Sequence, residues 1–164
     1  MLPMANLRDF FSQLGFDHAQ TLLQSGNVVF TGPAKSTATL EALFEAEAAK
    51  RLKLTTAFMV RTAAEWKALL AANPFPAMAR NDPSHLLVMF LKDPAGAKEV
   101  KALQAAIKGP ELVRAKGKQA YITYTEGIGR SKLTNAVLER ALGTSSTGRN
   151  WNTVLKLAAV AGVA

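Results

Sequence analysis

Six consecutive apolar residues, Leu86-Leu87-Val88-Met89-Phe90-Leu91, stand between His85 and Lys92. A strand with one wet face alternates apolar and polar side chains, and this run has no polar position to offer water. It therefore predicts an interior strand covered on both faces. A chain with such a strand must supply the covers. The 164-residue sequence, 49% hydrophobic, is long enough to do so, as one core or as two small ones.

The flanking segments alternate between helical and strand periods. Met4, Leu7, Phe10, Phe11 and Leu14 recur at helical spacing, and Gly15 ends that helix. Thr21 to Gln24 and Val28 to Phe30 read as short strands joined by a tight Gly26-Asn27 turn. Leu40, Leu43, Phe44 and Ala48 mark a second helix, and Thr55 to Arg61 is β-rich. Thr62 and Glu65 form a capping box ahead of Trp66, Leu69 and Leu70, and Asn73 to Pro76 stops that helix. Beyond the apolar strand, Asp93-Pro94 opens a helix striped by Val100, Leu103 and Ile107. Leu112 to Ala115 and Gln119 to Thr125 read as a hairpin around Lys116-Gly117-Lys118. Two further helices carry Leu133, Val137 and Ala141, then Trp151, Leu155 and Ala158.

The order is αββαβ, one helix, then βαββα and a last helix. A ferredoxin-like (split βαβ) unit is βαββαβ. The expected fold class is therefore α+β, with two ferredoxin-like halves at residues 1–73 and 84–164. The first half lacks its first strand. The second lacks its last strand and gains a C-terminal helix. In this arrangement the first strand lies mid-sheet, so its absence leaves edges to be paired or covered. A natural start upstream of Met1 is the corresponding expectation.

Several function classes are excluded or disfavoured. There is no cysteine, hence no disulfide framework, thiolate metal site or cysteine nucleophile. His18 and His85 have no partner at ligand spacing, so neither a metal nor a cofactor is expected. No phosphate-binding glycine loop and no G-x-S-x-G elbow occurs. Ser25-Gly26-Asn27 resembles one β-lactamase motif loosely, but its partner motifs are absent, so it reads as a turn. No run reaches the ~18 apolar residues of a membrane helix. No basic leader precedes an apolar run, and a cytoplasmic location is expected.

The net charge of +8 is lopsided: residues 1–91 carry 8 basic and 7 acidic side chains, and residues 92–164 carry 12 and 5. Two basic segments precede predicted helices, Gly127-Ile128-Gly129-Arg130-Ser131-Lys132 and Thr147-Gly148-Arg149-Asn150-Trp151-Asn152-Thr153. Helix starts present free N–H groups and favour anions, and arginine grips phosphate or carboxylate with two prongs. The leading reading is a pocket for a small anionic, phosphate- or nucleotide-like ligand. Its candidate residues are Arg130, Ser131, Lys132, Arg149, Asn150 and Asn152, joined by Ser25 and Asn27. The same residues have a structural reading too, with Thr147 and Asn150 as helix caps and Trp151 as a core anchor. A nucleic-acid-binding module is the alternative, resting on the charge asymmetry and on Tyr121 as a base-stacking side chain. Tyr121 and Tyr124 fall on opposite faces of one strand, which argues against a two-aromatic platform. An enzyme ranks last, since no nucleophile with an acid–base pair is evident. The oligomeric state is open.

Three segments also carry a resemblance. Gln24-Ser25-Gly26-Asn27-Val28-Val29-Phe30, Ser131-Lys132-Leu133 and Arg149-Asn150-Trp151-Asn152-Thr153-Val154 resemble an uncharacterised bacterial family, domain of unknown function 1697. The resemblance implies an α+β fold with ferredoxin-like halves and supplies no catalytic residues. Members of that family open with a strand and an L-R-G-I-N-V-G-G-like segment, which this sequence lacks.

Overall fold

The computed structural model describes residues 3–16, 18–22, 26–32 and 35–163. The predicted interior strand is β3, Leu86–Leu91, and it is central to a four-stranded antiparallel sheet. The others are β4 (Leu112–Lys116), β5 (Gln119–Thr123) and β6 (Ser146–Asn150), in the order β4-β5-β3-β6. Both faces of β3 are covered, and its side chains alternate between them. Leu86, Val88 and Phe90 pack in one cluster with Leu69, Tyr121, Trp151 and Val154. Met89 and Leu91 pack in another with Leu103, Ile122, Leu138 and Leu142. The first face is closed by α3 (Ala63–Ala71) and α7 (Trp151–Val160), the second by α5 (Ala97–Ala106) and α6 (Asn135–Leu142). No helix among the described residues is long and apolar enough to cross a membrane.

The fourth strand was not expected. Ser146–Asn150 is polar and carries a glycine, so no period-2 signal marks it as β. It is a strand because it completes a ladder with β3, from Leu91↔Ser146 to Leu87↔Asn150. Gly148 allows the close approach: a Cβ there would lie 2.6 Å from Met89 Sδ. Residues 86–150 thus run β3-α5-β4-β5-α6-β6, a complete βαββαβ order.

The preceding segment is built on phenylalanine. Helix α1 (Met4–Gln13) buries Leu7, Phe10 and Phe11, and α2 (Thr37–Leu52) buries Leu40 and Phe44. With Phe16 they form a separate core whose aromatic rings meet edge-on or tilted, as ring quadrupoles prefer. Strands β1 (Gln20–Leu22) and β2 (Asn27–Val29) pair antiparallel, as expected. Their connection spans four residues, 23–26, rather than a two-residue turn, because Leu22 faces Asn27 directly. Residues 23–25 of it lie outside the described residues.

Thr55 to Arg61 joins no sheet among the described residues, which corrects the β expectation. Side chains of α2 take the place of a ladder. Glu45 accepts the Phe58 N–H and Glu41 the Val60 N–H, each at 2.8 Å. Short helix α4 (Pro76–Asn81) and a 3₁₀ turn at Pro83–His85 lead into β3.

Candidate functional site

Arg149 does not open the last helix; it lies in β6, opposite Val88 of β3. Asn150 makes the helix cap, its Oδ1 accepting the Thr153 N–H at 3.0 Å. Trp151 follows, buried in the sheet-facing cluster as expected. Val154, Leu157 and Ala158 share the inner face of α7, while Leu155, expected beside them, is 43% exposed.

From the sheet edge the Arg149 guanidinium reaches the β1–β2 hairpin. Its Nε donates to Asn27 Oδ1 at 2.6 Å, and one terminal nitrogen donates to Thr147 Oγ1 at 2.7 Å and to the Gly148 carbonyl at 2.8 Å. Asn27 is buried, and its Nδ2 donates to the Leu22 carbonyl at 2.9 Å. That bond fixes which end of the amide faces the arginine. Burial pushes the Arg149 pKa below the ordinary arginine value.

These residues stand at the polar end of a cleft of about 960 Å³ between the first segment and the edge of the sheet. Arg61 lines it too, with a side chain only 4% exposed. Its guanidinium donates to the carbonyls of Leu91 at 2.9 Å and Lys118 at 3.0 Å and lies over the Phe90 ring. Glu41 lies 3.7 Å away, and Arg61 Nε is buried without a hydrogen-bond partner among the described residues. Burial lowers the Arg61 pKa, against the pull of Glu41. Lys35 and His18 complete the basic lining, and no carboxylate lines the cleft among the described residues. Trp66 stacks on Phe90 at 5.0 Å and donates its indole N–H to the Val154 carbonyl.

The other basic segment is elsewhere. Arg130 and Lys132 are exposed. Ser131 Oγ donates to Glu111 at 2.6 Å and accepts the Leu133 N–H at 3.0 Å. Glu111 directly precedes β4, at the edge of the sheet opposite β6, three strand spacings or roughly 14 Å across. The two segments therefore form no single pocket. Arg149, Asn27 and Thr147 come together, and Arg130, Ser131 and Lys132 do not join them. Asn150 is occupied as a cap, Asn152 is exposed, and Ser25 lies outside the described residues. Sequence reasoning did not single out Arg61, Lys35 or Trp66 for the site, and nothing in their local pattern marks them as cleft residues.

Both tyrosines are buried rather than available for stacking. The Tyr121 hydroxyl donates to the Leu69 carbonyl at 2.6 Å and the Tyr124 hydroxyl to the Leu133 carbonyl at 2.9 Å. Burial pushes the Tyr121 pKa up to about 12. Among the described residues no group of histidine and carboxylate side chains is placed to hold a metal.

A family model described as "Protein of unknown function (DUF1697)" matches residues 1–121. The chain belongs to this family. The matched region holds Asn27 and Arg61; Arg149 lies beyond it. A conserved bacterial protein from Streptococcus pneumoniae has a similar solved structure, with a TM-score of 0.75 at 21% identity over 99% of this chain and 90% of that one. That likeness is one of fold, and it includes the C-terminal helix. No curated protein matches.

Proposed function

We propose that this DUF1697 chain binds a small phosphate- or carboxylate-type anion at the Arg149–Asn27–Thr147 end of the cleft. One observation carries the reading: Arg149, Arg61, Lys35 and His18 line a cleft whose described lining holds no carboxylate. A partly desolvated cleft of one charge sign concentrates counter-ions of the other. Its volume falls within the roughly 300–1,000 Å³ of small-molecule sites. Asn27 and Thr147 hold the guanidinium in place, so little side-chain entropy remains to be lost on binding. The cysteine-free composition fits a cytoplasmic setting.

Thermal melts with inorganic phosphate, mononucleotides, small carboxylates and a short oligonucleotide test this. A ligand at 100 times its Kd should stabilise the protein by about 2.7 kcal/mol. The stabilisation should vanish in Arg149→Ala, partly survive in Arg149→Lys, and persist in Lys132→Ala at the opposite edge. A response that is equal in Arg149→Ala and wild type refutes the site. Stabilisation by the oligonucleotide alone, lost in Lys132→Ala, supports the nucleic-acid alternative instead.

A further inference from the structure

Away from the cleft, cations from three segments gather along the β4 edge of the sheet. Leu112, Arg114 and Lys116 are the exposed alternate positions of β4, which has a sheet partner on one side only. Lys101 of α5 joins Arg114 in the lining of a groove of about 570 Å³ between that helix and the strand, and no carboxylate lines it among the described residues. At the start of the strand, Ser131 is bonded to Glu111, which brings the exposed Arg130 and Lys132 beside the first residue of β4. From Glu111 to Lys116 is five strand steps of ~3.4 Å, or about 17 Å.

None of these five cations forms a salt bridge among the described residues. Most carboxylates of residues 92–164 are engaged elsewhere. Glu99 folds over Gly96 at the start of α5, Glu111 is buried and accepts from Ser131, and Glu139 accepts the Ser146 N–H at 2.8 Å. The edge is also closed to a polypeptide strand. Gln104 Oε1 accepts the Val113 N–H at 2.7 Å, Gln104 Nε2 donates to the Glu111 carbonyl at 3.2 Å, and Arg114 donates to the Val113 carbonyl at 2.8 Å. An added strand would need those main-chain groups. Nor is there a platform for stacked bases, since Tyr121, Tyr124 and Trp151, the aromatic residues of 92–164, are all buried. What the edge offers is positive charge in a line. Its complement is a regular row of phosphates, and ~17 Å matches about five steps of ~3.4 Å along a duplex.

We propose that the β4 edge is a docking surface for the phosphate backbone of a nucleic-acid duplex, held by Lys101, Arg114, Lys116, Arg130 and Lys132. A stiff polyanion keeps its charge density along the whole stripe, and each cation that meets a phosphate releases a condensed counter-ion. Base sequence is not read, because phosphate contacts position a partner without specifying it. This surface lies at the sheet edge opposite Arg149 and does not rest on the anion reading of the cleft.

Fluorescence anisotropy of a short labelled DNA duplex, titrated with the full chain over a range of salt concentrations, tests this. Log affinity should fall with log salt at a slope of about −0.9 per phosphate neutralised, up to about −4.5 for five cations. Lys101→Ala, Lys116→Ala and Lys132→Ala, on three separate segments, should each flatten the slope by about 1, roughly an eightfold loss of affinity at ~0.1 M salt, with Tm unchanged. Lys156→Ala, which removes an exposed lysine of α7, should leave the slope as it is. Absence of duplex binding at low salt overturns the proposal. So does an equal loss in Lys156→Ala, which makes the attraction one of net charge alone. Tighter binding of a single strand than of the duplex overturns it in favour of base contacts. Binding to phosphatidylserine vesicles without duplex binding overturns it in favour of a membrane surface. The cleft is read in Arg149→Ala and this edge in Lys116→Ala, so the two can fail separately.

Discussion

Replacing Glu41 by methionine should cost about 3–5 kcal/mol of stability, the range for removing one partner of a buried charge pair. Glu41 is 4% exposed. Its Oε2 accepts the Val60 N–H at 2.8 Å and lies 3.7 Å from Arg61, and its Oε1 lies 3.1 Å from Lys92 Nζ. Lys92 has an alternative in Glu45 and keeps access to water, with 26% of its side chain exposed. Arg61 has main-chain carbonyls but no second carboxylate in ion-pair contact among the described residues, its side chain is 4% exposed, and its Nε already lacks a partner among those residues. The penalty therefore falls on Arg61. Removing the arginine instead, in Arg61→Met, leaves Glu41 bonded to Val60 and Lys92 and should cost less, about 1–3 kcal/mol. In the double variant no buried cation is stranded, so its cost should fall short of the sum by more than ~1 kcal/mol. Urea denaturation at pH 7, extrapolated linearly, measures all three. Glu41→Gln separates charge from hydrogen bonding, because it can still accept from Val60. Costs that add within ~0.5 kcal/mol would show that Arg61 does not depend on Glu41, and the reasoning fails. A further consequence is that Glu41→Met should loosen residues 58–60, the wall of the cleft, and speed amide exchange there.

Two other outcomes follow from the core and the cap. Trp151→Ala, at a position 6% exposed, should cost about 3–5 kcal/mol, whereas Asn150→Ala should cost about 1 kcal/mol for a lost cap, both read by urea melts; similar values would contradict the packing assignment. Stability should also fall as pH rises above ~10, the ordinary tyrosine value. Burial raises Tyr121 to about 12, and burial with the Glu111 charge raises Tyr124 to about 12, so both phenols favour the fold while protonated. That contribution is complete below the unfolded pKa and is lost as pH climbs through the folded one. Lys92 acts in the same direction: burial opposes its charge, but hydrogen bonds with Glu45 and Glu41 outweigh it and raise the pKa. Urea melts between pH 8 and 12 should show the decline, and Tyr121→Phe should flatten it. A profile in Tyr121→Phe identical to wild type would show that the phenol does not titrate with folding.

Local chemistry and periodicity were enough for some of these elements. The apolar run Leu86 to Leu91 could only be satisfied with cover on both faces, and it is. Thr62 caps α3 through the Glu65 N–H, and Asn150 caps α7, because a cap needs only a side chain and a backbone group three residues apart. The family, too, was legible from short motifs in fixed order. What local pattern could not supply is pairing. Ser146–Asn150 is a strand only because β3 lies beside it, while Thr55–Arg61, richer in β-formers, joins neither sheet, and two of its N–H groups, those of Phe58 and Val60, go to carboxylates of α2. The candidate site depends on the same kind of information. Two basic segments that looked alike in sequence were separated by strand order, which put one on each edge of the sheet. Asn27 and Arg149, 122 residues apart, meet because the edge strand β6 faces the β1–β2 hairpin. Capping and periodicity act within a few residues, so the sequence alone determines them. Strand order and the meeting of distant side chains arise from burying several amphipathic surfaces at once, and only the tertiary structure decided them.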